Sequence, residues 1–191
     1  MYKKNIFIKK RCICGGNLKE EINFGKLPLI NDFKKVKTIK YPTIISQCPK
    51  CFLVQLKYAV KDSLIFPKNY SYLSADSDEK IKDYKDLIAK ISSRLLRYKP
   101  MIVDIGGNDG SLMQIAKKRN FSEMNIEPTN VANISKERGI KTLKKKFNSR
   151  TANDLKKKKL LFDFVISTNF FAHTNNLNDK EEIVILTPKY D

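Results

Sequence analysis

No stretch of this chain approaches the roughly 20 consecutive apolar residues that span a bilayer, so a membrane partner is not expected. The segment from Met1 to Lys10 is basic, but its apolar centre is too short for a secretory signal, and a cytoplasmic location is the reading. Arginine is scarce, although the formal net charge is +18. Bidentate readout of bases usually relies on arginine, so that scarcity argues against sequence-specific nucleic-acid recognition. Internal repeats and low-complexity linkers are absent. Tryptophan is missing, histidine occurs once, at His173, and no cysteine follows Cys51. What is left, at 191 residues, 41% hydrophobic and 30% charged, is a globular chain with room for one domain and a small module.

The excess charge is lysine, scattered and in short runs such as Lys144–Lys146 and Lys156–Lys159. With no single basic face evident, it reads as a solvated surface that weakly favours an anionic substrate.

All four cysteines fall in two pairs, Cys12-Ile-Cys14-Gly-Gly and Cys48-Pro-Lys-Cys51. Gly15, Gly16 and Pro49 supply the tight turns that can aim four thiolates at one tetrahedral Zn²⁺. In a cytosolic chain, metal is a more natural use of paired cysteines than a disulfide framework. Buried structural thiols and a redox pair are the alternatives. A redox C-x-x-C normally opens a helix in a thioredoxin-like unit, which is not evident here. The expected metal site is structural, closed, and formed by Cys12, Cys14, Cys48 and Cys51. Its module spans 1–62, with short strands at Lys40–Ile45 and Phe52–Leu56, and has too little apolar core to be stable alone.

An irregular aromatic connector and a helix occupy 63–98. Asp76 or Ser77 caps that helix, and its apolar stripe is Ile81, Tyr84, Leu87, Ile88, Ile91 and Leu95. Lys99-Pro100 stops it. Residues 99–191 then read as a doubly wound α/β domain. Met101-Ile-Val-Asp104 is an apolar run ending in an acid, followed by a corner of Gly106, Gly107 and Gly110. Leu112, Ile115 and Ala116 then recur at helical spacing, so the unit reads strand, turn, helix. A second apolar segment ends at Ile126-Glu127-Pro128. Glycine lets a backbone approach a ligand at strand ends, and an acid about 20 residues beyond such a corner commonly holds ribose hydroxyls. The bland alternative is a ligand-free β–α turn.

The corner departs from the dinucleotide pattern G-x-G-x-x-G. It reads Asp104-x-Gly106-x-x-x-Gly110 and carries Asn108 and Asp109. Extra acid would repel a pyrophosphate, but it suits the amino group and sulfonium of S-adenosylmethionine. Further elements are expected as helices at about Ser111–Lys118, Asn130–Arg138 and Thr151–Lys158, and strands at Ser122–Glu127, Ile140–Thr142 and Phe162–Ser167. A last strand is expected at Ile183–Leu186, so the sheet is expected to stop early.

Taken together, these motifs resemble the sugar C-methyltransferases, S-adenosylmethionine-dependent enzymes that methylate a carbon of nucleotide-linked keto-deoxysugars. The resemblance is carried by the cysteine module, Phe24-Gly25-Lys-Leu-Pro28-Leu29, Cys51-Phe-Leu-Val-Gln55-Leu56 and Tyr70-Ser-Tyr72-Leu-Ser74. It continues through Val103-Asp-Ile-Gly-Gly-Asn-Asp-Gly110, Ile126-Glu-Pro128 with Asn130-Val-Ala132, and Asn169-Phe-Phe-Ala-His173. It implies a zinc-binding module followed by a Rossmann-like sheet of the class I methyltransferase type, incomplete here. It also implies cofactor contacts from Asp104, Gly106, Asn108, Gly110 and Glu127, with Phe147 near the adenine and Asn169 close to the cofactor. Tyr72 and His173 are implied to reach the sugar. Two departures stand out: the first cysteine pair is C-x-C, and the chain ends before the family's Tyr/Glu/His-rich segment and C-terminal domain.

Methylation beside a ketone requires a base to form an enolate, donors for its oxygen, and reactants held in contact. His173, with an ordinary pKa of about 6.5, is the natural titrating group, and Tyr72 can donate to the keto oxygen. The competing readings are a non-catalytic zinc- and cofactor-binding remnant, one half of a split enzyme with a separately encoded C-terminal partner, and a zinc-ribbon nucleic-acid binder. The acids Asp104 and Glu127 disfavour the last.

Overall fold

The computed structural model describes residues 2–29, 39–67, 70–94, 99–168 and 170–173. The chain divides into two compact units, Met1–Pro67 and Lys68–Asp191.

The first unit is built from antiparallel pairs. Strand β1 (Ile6–Ile8) pairs with β5 (Tyr58–Val60), and β2 (Lys19–Pro28), β3 (Lys40–Gln47) and β4 (Val54–Leu56) form a three-stranded sheet in that order. A one-turn helix, α1 (Asp62–Ile65), follows. β3 and β4 were expected from the sequence, whereas the ten-residue β2 was not. All of β2 is exposed, and its register with β3 slips twice, between Glu20 and Ile22 and between Asn23 and Lys26. A strand without a buried face gives no strong apolar alternation.

The second unit contains a fully parallel sheet of β6 (Met101–Ile105), β7 (Ser122–Ile126), β8 (Thr142–Leu143) and β9 (Phe164–Ile166), in the spatial order β8-β7-β6-β9. In strand sequence that order is 3-2-1-4, the Rossmann-like arrangement of a doubly wound α/β domain. Helices lie between the strands: α2 (Asp78–Ser92) precedes β6, α3 (Ser111–Lys118) joins β6 to β7, α4 (Ala132–Glu137) joins β7 to β8, and α5 (Ser149–Lys157) joins β8 to β9. Ser77 caps α2, its Oγ accepting from the Lys80 amide at 3.2 Å. Asn148 caps α5 in the same way.

Both sheet faces are covered, and the two central strands carry buried apolar residues on both sides. On one face Ile102 packs with Tyr84, Ile88 and Ile91 of α2 and Leu112, Met113 and Ala116 of α3. On the other, Val103, Ile105, Met124 and Ile126 pack with Ala152 and Leu155 of α5, Phe147 and Phe162. The alternation along β6 and β7 therefore points Asp104 and Asn125 toward the α3 side, and the two residues are register partners. Expected elements recur with ends shifted by one to a few residues. Leu95 of the α2 stripe and the expected strand Ile183–Leu186 lie outside the described residues. No helix among those residues is long and apolar enough to cross a membrane.

Candidate functional site

Two loops carry the cysteines. In the first, Gly15 donates to the Cys12 carbonyl and Cys12 to the Gly16 carbonyl, both at 2.9 Å. In the second, Phe52 donates to the Cys48 carbonyl at 2.7 Å and Cys48 to the Leu53 carbonyl at 3.0 Å. These turns bring Cys12, Cys14, Cys48 and Cys51 together with all four Sγ atoms within 4.8 Å of one another. Cys12 and Cys51, and Cys14 and Cys48, approach to 3.5 Å. Zinc–thiolate bonds of about 2.3 Å give a tetrahedron with edges of this order, so the C-x-C spacing still delivers four donors to one point. A side chain at Gly16 would lie 2.7 Å from Cys48 Sγ, which is why the turn uses glycine. The four thiols cannot all ionise side by side without a cation. A hydrogen bond from the Gly16 backbone, with the thiol neighbours helping, brings Cys14 down to about 7. The Leu53 backbone lowers Cys51, but contact with Cys14, burial and the other two thiols outweigh it and push Cys51 up to about 12. The donor set fits a divalent metal that prefers sulfur.

The second constellation lies at the carboxyl ends of β6 and β7. Gly106 and Gly110 adopt left-handed conformations, φ +73° and +76°, turning the chain from β6 into α3. Asp104, at the end of β6, is 1% exposed, and neither carboxylate oxygen accepts a hydrogen bond from any described residue. Burial pushes its carboxyl up to about 8, with the Glu127 charge adding to the rise and the Lys80 ammonium opposing it. Glu127, just past β7, is also buried. Its Oε2 accepts from the Asn108 amide at 3.2 Å and its Oε1 from the Thr129 amide at 2.9 Å. A carboxylate offers about four acceptor positions, so two remain for hydroxyl donors. A glycine corner and, at the tip of the next strand, a buried acid with spare acceptor capacity fit the ribose of a nucleoside cofactor.

Asn108 and Asp109 belong to the framework. Asn108 Oδ1 accepts from the Ser74 amide at 3.0 Å, and its Nδ2 donates to the Tyr72 carbonyl at 3.0 Å. Asp109 is fully buried. It accepts from the amides of Ala75 and Ser111 and the Ser111 hydroxyl, and forms a 3.1 Å ion pair with Arg138. The expectation that Asp109 presents free negative charge to a sulfonium is thus corrected, because its charge is neutralised by Arg138 inside the fold. These bonds tie the segment before α2, which carries Tyr72 and Ser74, to the glycine corner.

Tyr72 is 43% exposed; its hydroxyl accepts from Lys80 Nζ at 3.1 Å, and the same ammonium sits 5.1 Å from its ring centroid. Residues after β9 reach the corner from the other side. A side chain at Gly106 would lie 2.9 Å from Phe170 Cβ, and the His173 amide donates to the Phe170 carbonyl at 3.0 Å. His173 is exposed on a short 3₁₀ turn, Phe171–His173. Phe147 is 3% exposed within the apolar cluster under the sheet, a core position. Asn169 lies outside the described residues. Lys80, Asn125 and Arg138 escaped the sequence reading. Asn125 left a signal, a polar residue in an otherwise apolar strand end.

Residues 12–66 match the family model Methyltransf_13, described as "Putative zinc binding domain". No curated protein is similar to the chain. Among solved structures, one similar to this chain is described as a "putative s-adenosyl-l-methionine-dependent methyltransferase" from Methanococcus maripaludis. It shares 16% identity over 60% of this chain and 57% of its own, at a TM-score of 0.44. Magnesium protoporphyrin IX methyltransferase from Synechocystis, solved with bound SAM, shares 11% identity over 65% of this chain and 62% of its own, at a TM-score of 0.44. A SAM-dependent methyltransferase from Agrobacterium tumefaciens shares 8% identity over 88% of this chain and 51% of its own, at a TM-score of 0.46. The matched region is thus about half to three fifths of each of these proteins' length.

Proposed function

We propose that this chain is an S-adenosylmethionine-dependent methyltransferase with a structural Zn²⁺ in its first unit, acting on a carbon of a nucleotide-linked keto-deoxysugar. The observation that carries the reading is the corner itself: the first two strands of a 3-2-1-4 parallel sheet end in the buried acids Asp104 and Glu127 around a glycine turn. Dinucleotide binding would call for the shorter glycine spacing and a free path to the helix N-terminus. The zinc assignment is supported by four converging thiols and by the family model that covers them.

S-adenosylmethionine supplies a methyl group on an electrophilic sulfonium. In this reading Glu127 accepts the ribose hydroxyls while Gly106 and Gly110 let the backbone approach the ligand. Asp104 lies beneath the same corner. Tyr72 and His173 flank it through Asn108 and Phe170 respectively. His173 takes the proton from the carbon next to the ketone, and the Tyr72 hydroxyl, whose oxygen already accepts from Lys80, turns its own proton to the keto oxygen. The sugar assignment is supported by the motifs that resemble the C-methyltransferases, from Tyr70 to Ser74 and Asn169 to His173. The test is methyl transfer from labelled S-adenosylmethionine to a panel of nucleotide-linked keto-sugars. The reading expects product with one of them, lost in His173→Ala. Product that forms only when a second polypeptide is added would identify a split enzyme. Cofactor binding with no transfer to any sugar would refute the sugar assignment.

A further inference from the structure

Two sets of acceptor atoms are buried beneath the glycine corner, and neither has a donor among the described residues. Asp104 Oδ1 and Oδ2 are one set, and Asn125 Oδ1 is the other. The amide of Asn125 is fixed in orientation. Its Nδ2 donates at 3.0 Å to the Asn108 carbonyl, which can only accept, and at 3.0 Å to Ser135 Oγ. Its oxygen must therefore face the other way. Asp104 and Asn125 are register partners on neighbouring parallel strands and point to the same sheet face. A Cβ placed on Gly107 would lie 2.6 Å from Asp104 Oδ2 and closer still to Asn125 Oδ1, so both oxygens crowd the same point.

Neighbouring acceptors withdrawn from water leave their desolvation unanswered, and a carboxylate adds the cost of a buried charge. One proton on Asp104 removes that charge and gives Asn125 Oδ1 a donor. We propose that Asp104 is a neutral carboxylic acid whose O–H donates to Asn125 Oδ1, making Asn125 the positioning residue that sets the charge and orientation of the acid at this corner. The charged groups around Asp104 are consistent with this. Glu127 at the tip of β7 repels a second negative charge, and Asp109 is committed to Arg138. Lys80, on the first turn of α2, is the opposing charge, but its ammonium donates to the Tyr72 hydroxyl. The assignment concerns the folded chain itself and does not depend on the cofactor proposed above.

The proton makes stability depend on pH. Asp104 is raised in the folded chain to about 8, against about 3.9 when unfolded. Its neutral form therefore contributes stability that is complete below the unfolded value and is lost as pH rises through the folded one. The substitution Asp104→Asn supplies an amide that can donate to Asn125 Oδ1 without a proton. It should flatten the stability profile between about pH 4 and pH 8 and raise stability above that window.

The deciding measurement is infrared spectroscopy of the protein carrying ¹³C in the side-chain carboxyl of aspartate. At about pH 6, where ordinary carboxylates are ionised, the proposal expects an isotope-shifted stretch of a protonated carboxyl. That stretch should be absent in Asp104→Asn, and in Asn125→Leu it should move to higher frequency as the carboxyl loses its acceptor, whereas entry of water through loosened packing would keep the carboxyl hydrogen-bonded and its stretch low. Should either variant fail to fold, the isotope-shifted band in the unsubstituted protein decides, because the label separates aspartate from Glu127. An aspartate spectrum fully ionised at about pH 6 overturns the proposal.

Discussion

Glu127 spends one oxygen on each of two backbone amides and so is held rigidly at the tip of its strand. A group fixed in that way loses little entropy when it accepts ligand hydroxyls, which is why its removal should be felt. Glu127→Ala is expected to weaken S-adenosylmethionine binding by about 1.5–3 kcal/mol, the value of a charge-assisted hydrogen-bond pair, as measured by calorimetry. Gly107 makes the complementary case. With Asp104 Oδ2 at 2.6 Å from where a Cβ would sit, Gly107→Ala should destabilise the second unit by about 1–3 kcal/mol, the usual cost of overpacking. Thermal denaturation will show it as a lowered midpoint.

The elements around the corner are held by polar side chains as well as by apolar packing. Asn108 and Asp109 reach back to the amides of Ser74 and Ala75, and Arg138, at the end of α4, closes the network on Asp109. Removing the cation would strand a carboxylate that is wholly buried. Arg138→Met should therefore cost about 3 kcal/mol, and the Ser74–Asp76 turn should lose protection in hydrogen exchange before α3 does. If the variant keeps its stability, Asp109 is not held as described. The strand–turn–helix unit from Met101 to Lys118 was legible in the sequence because its apolar runs are separated by glycines that only a tight corner requires. The helix at Asp78–Ser92 was legible from its stripe and its serine cap. The network was not legible. The partners of Asn108 and Asp109, namely Ser74, Ala75 and Arg138, become neighbours only through the fold, whereas sequence gives residue types and spacing. Strand β2 escaped for the opposite reason, having no buried face to impose a pattern.

At the scale of the whole molecule, the two units are stabilised by different means. The second has two apolar clusters, one on each face of its sheet, whereas the first relies on antiparallel pairs and a convergence of thiols. Small modules of this kind fold with their metal. Metal analysis should find one zinc per chain, and Cys48→Ser with Cys51→Ser should remove it along with the fold of the first unit; a folded, zinc-free first unit would refute the site. The lysine excess should behave as diffuse charge. Binding to DNA or RNA should be weak and fall steeply with added salt, and a sequence-selective complex that survives physiological salt would favour a nucleic-acid role instead. The central claim is the cofactor at the corner of β6 and β7, and titration calorimetry of the unsubstituted chain and Glu127→Ala with S-adenosylmethionine tests it most directly. The account predicts saturable binding at one site, weakened roughly 10- to 150-fold by the substitution. No binding, an affinity unchanged in Glu127→Ala, or tighter binding of a nicotinamide dinucleotide would contradict it.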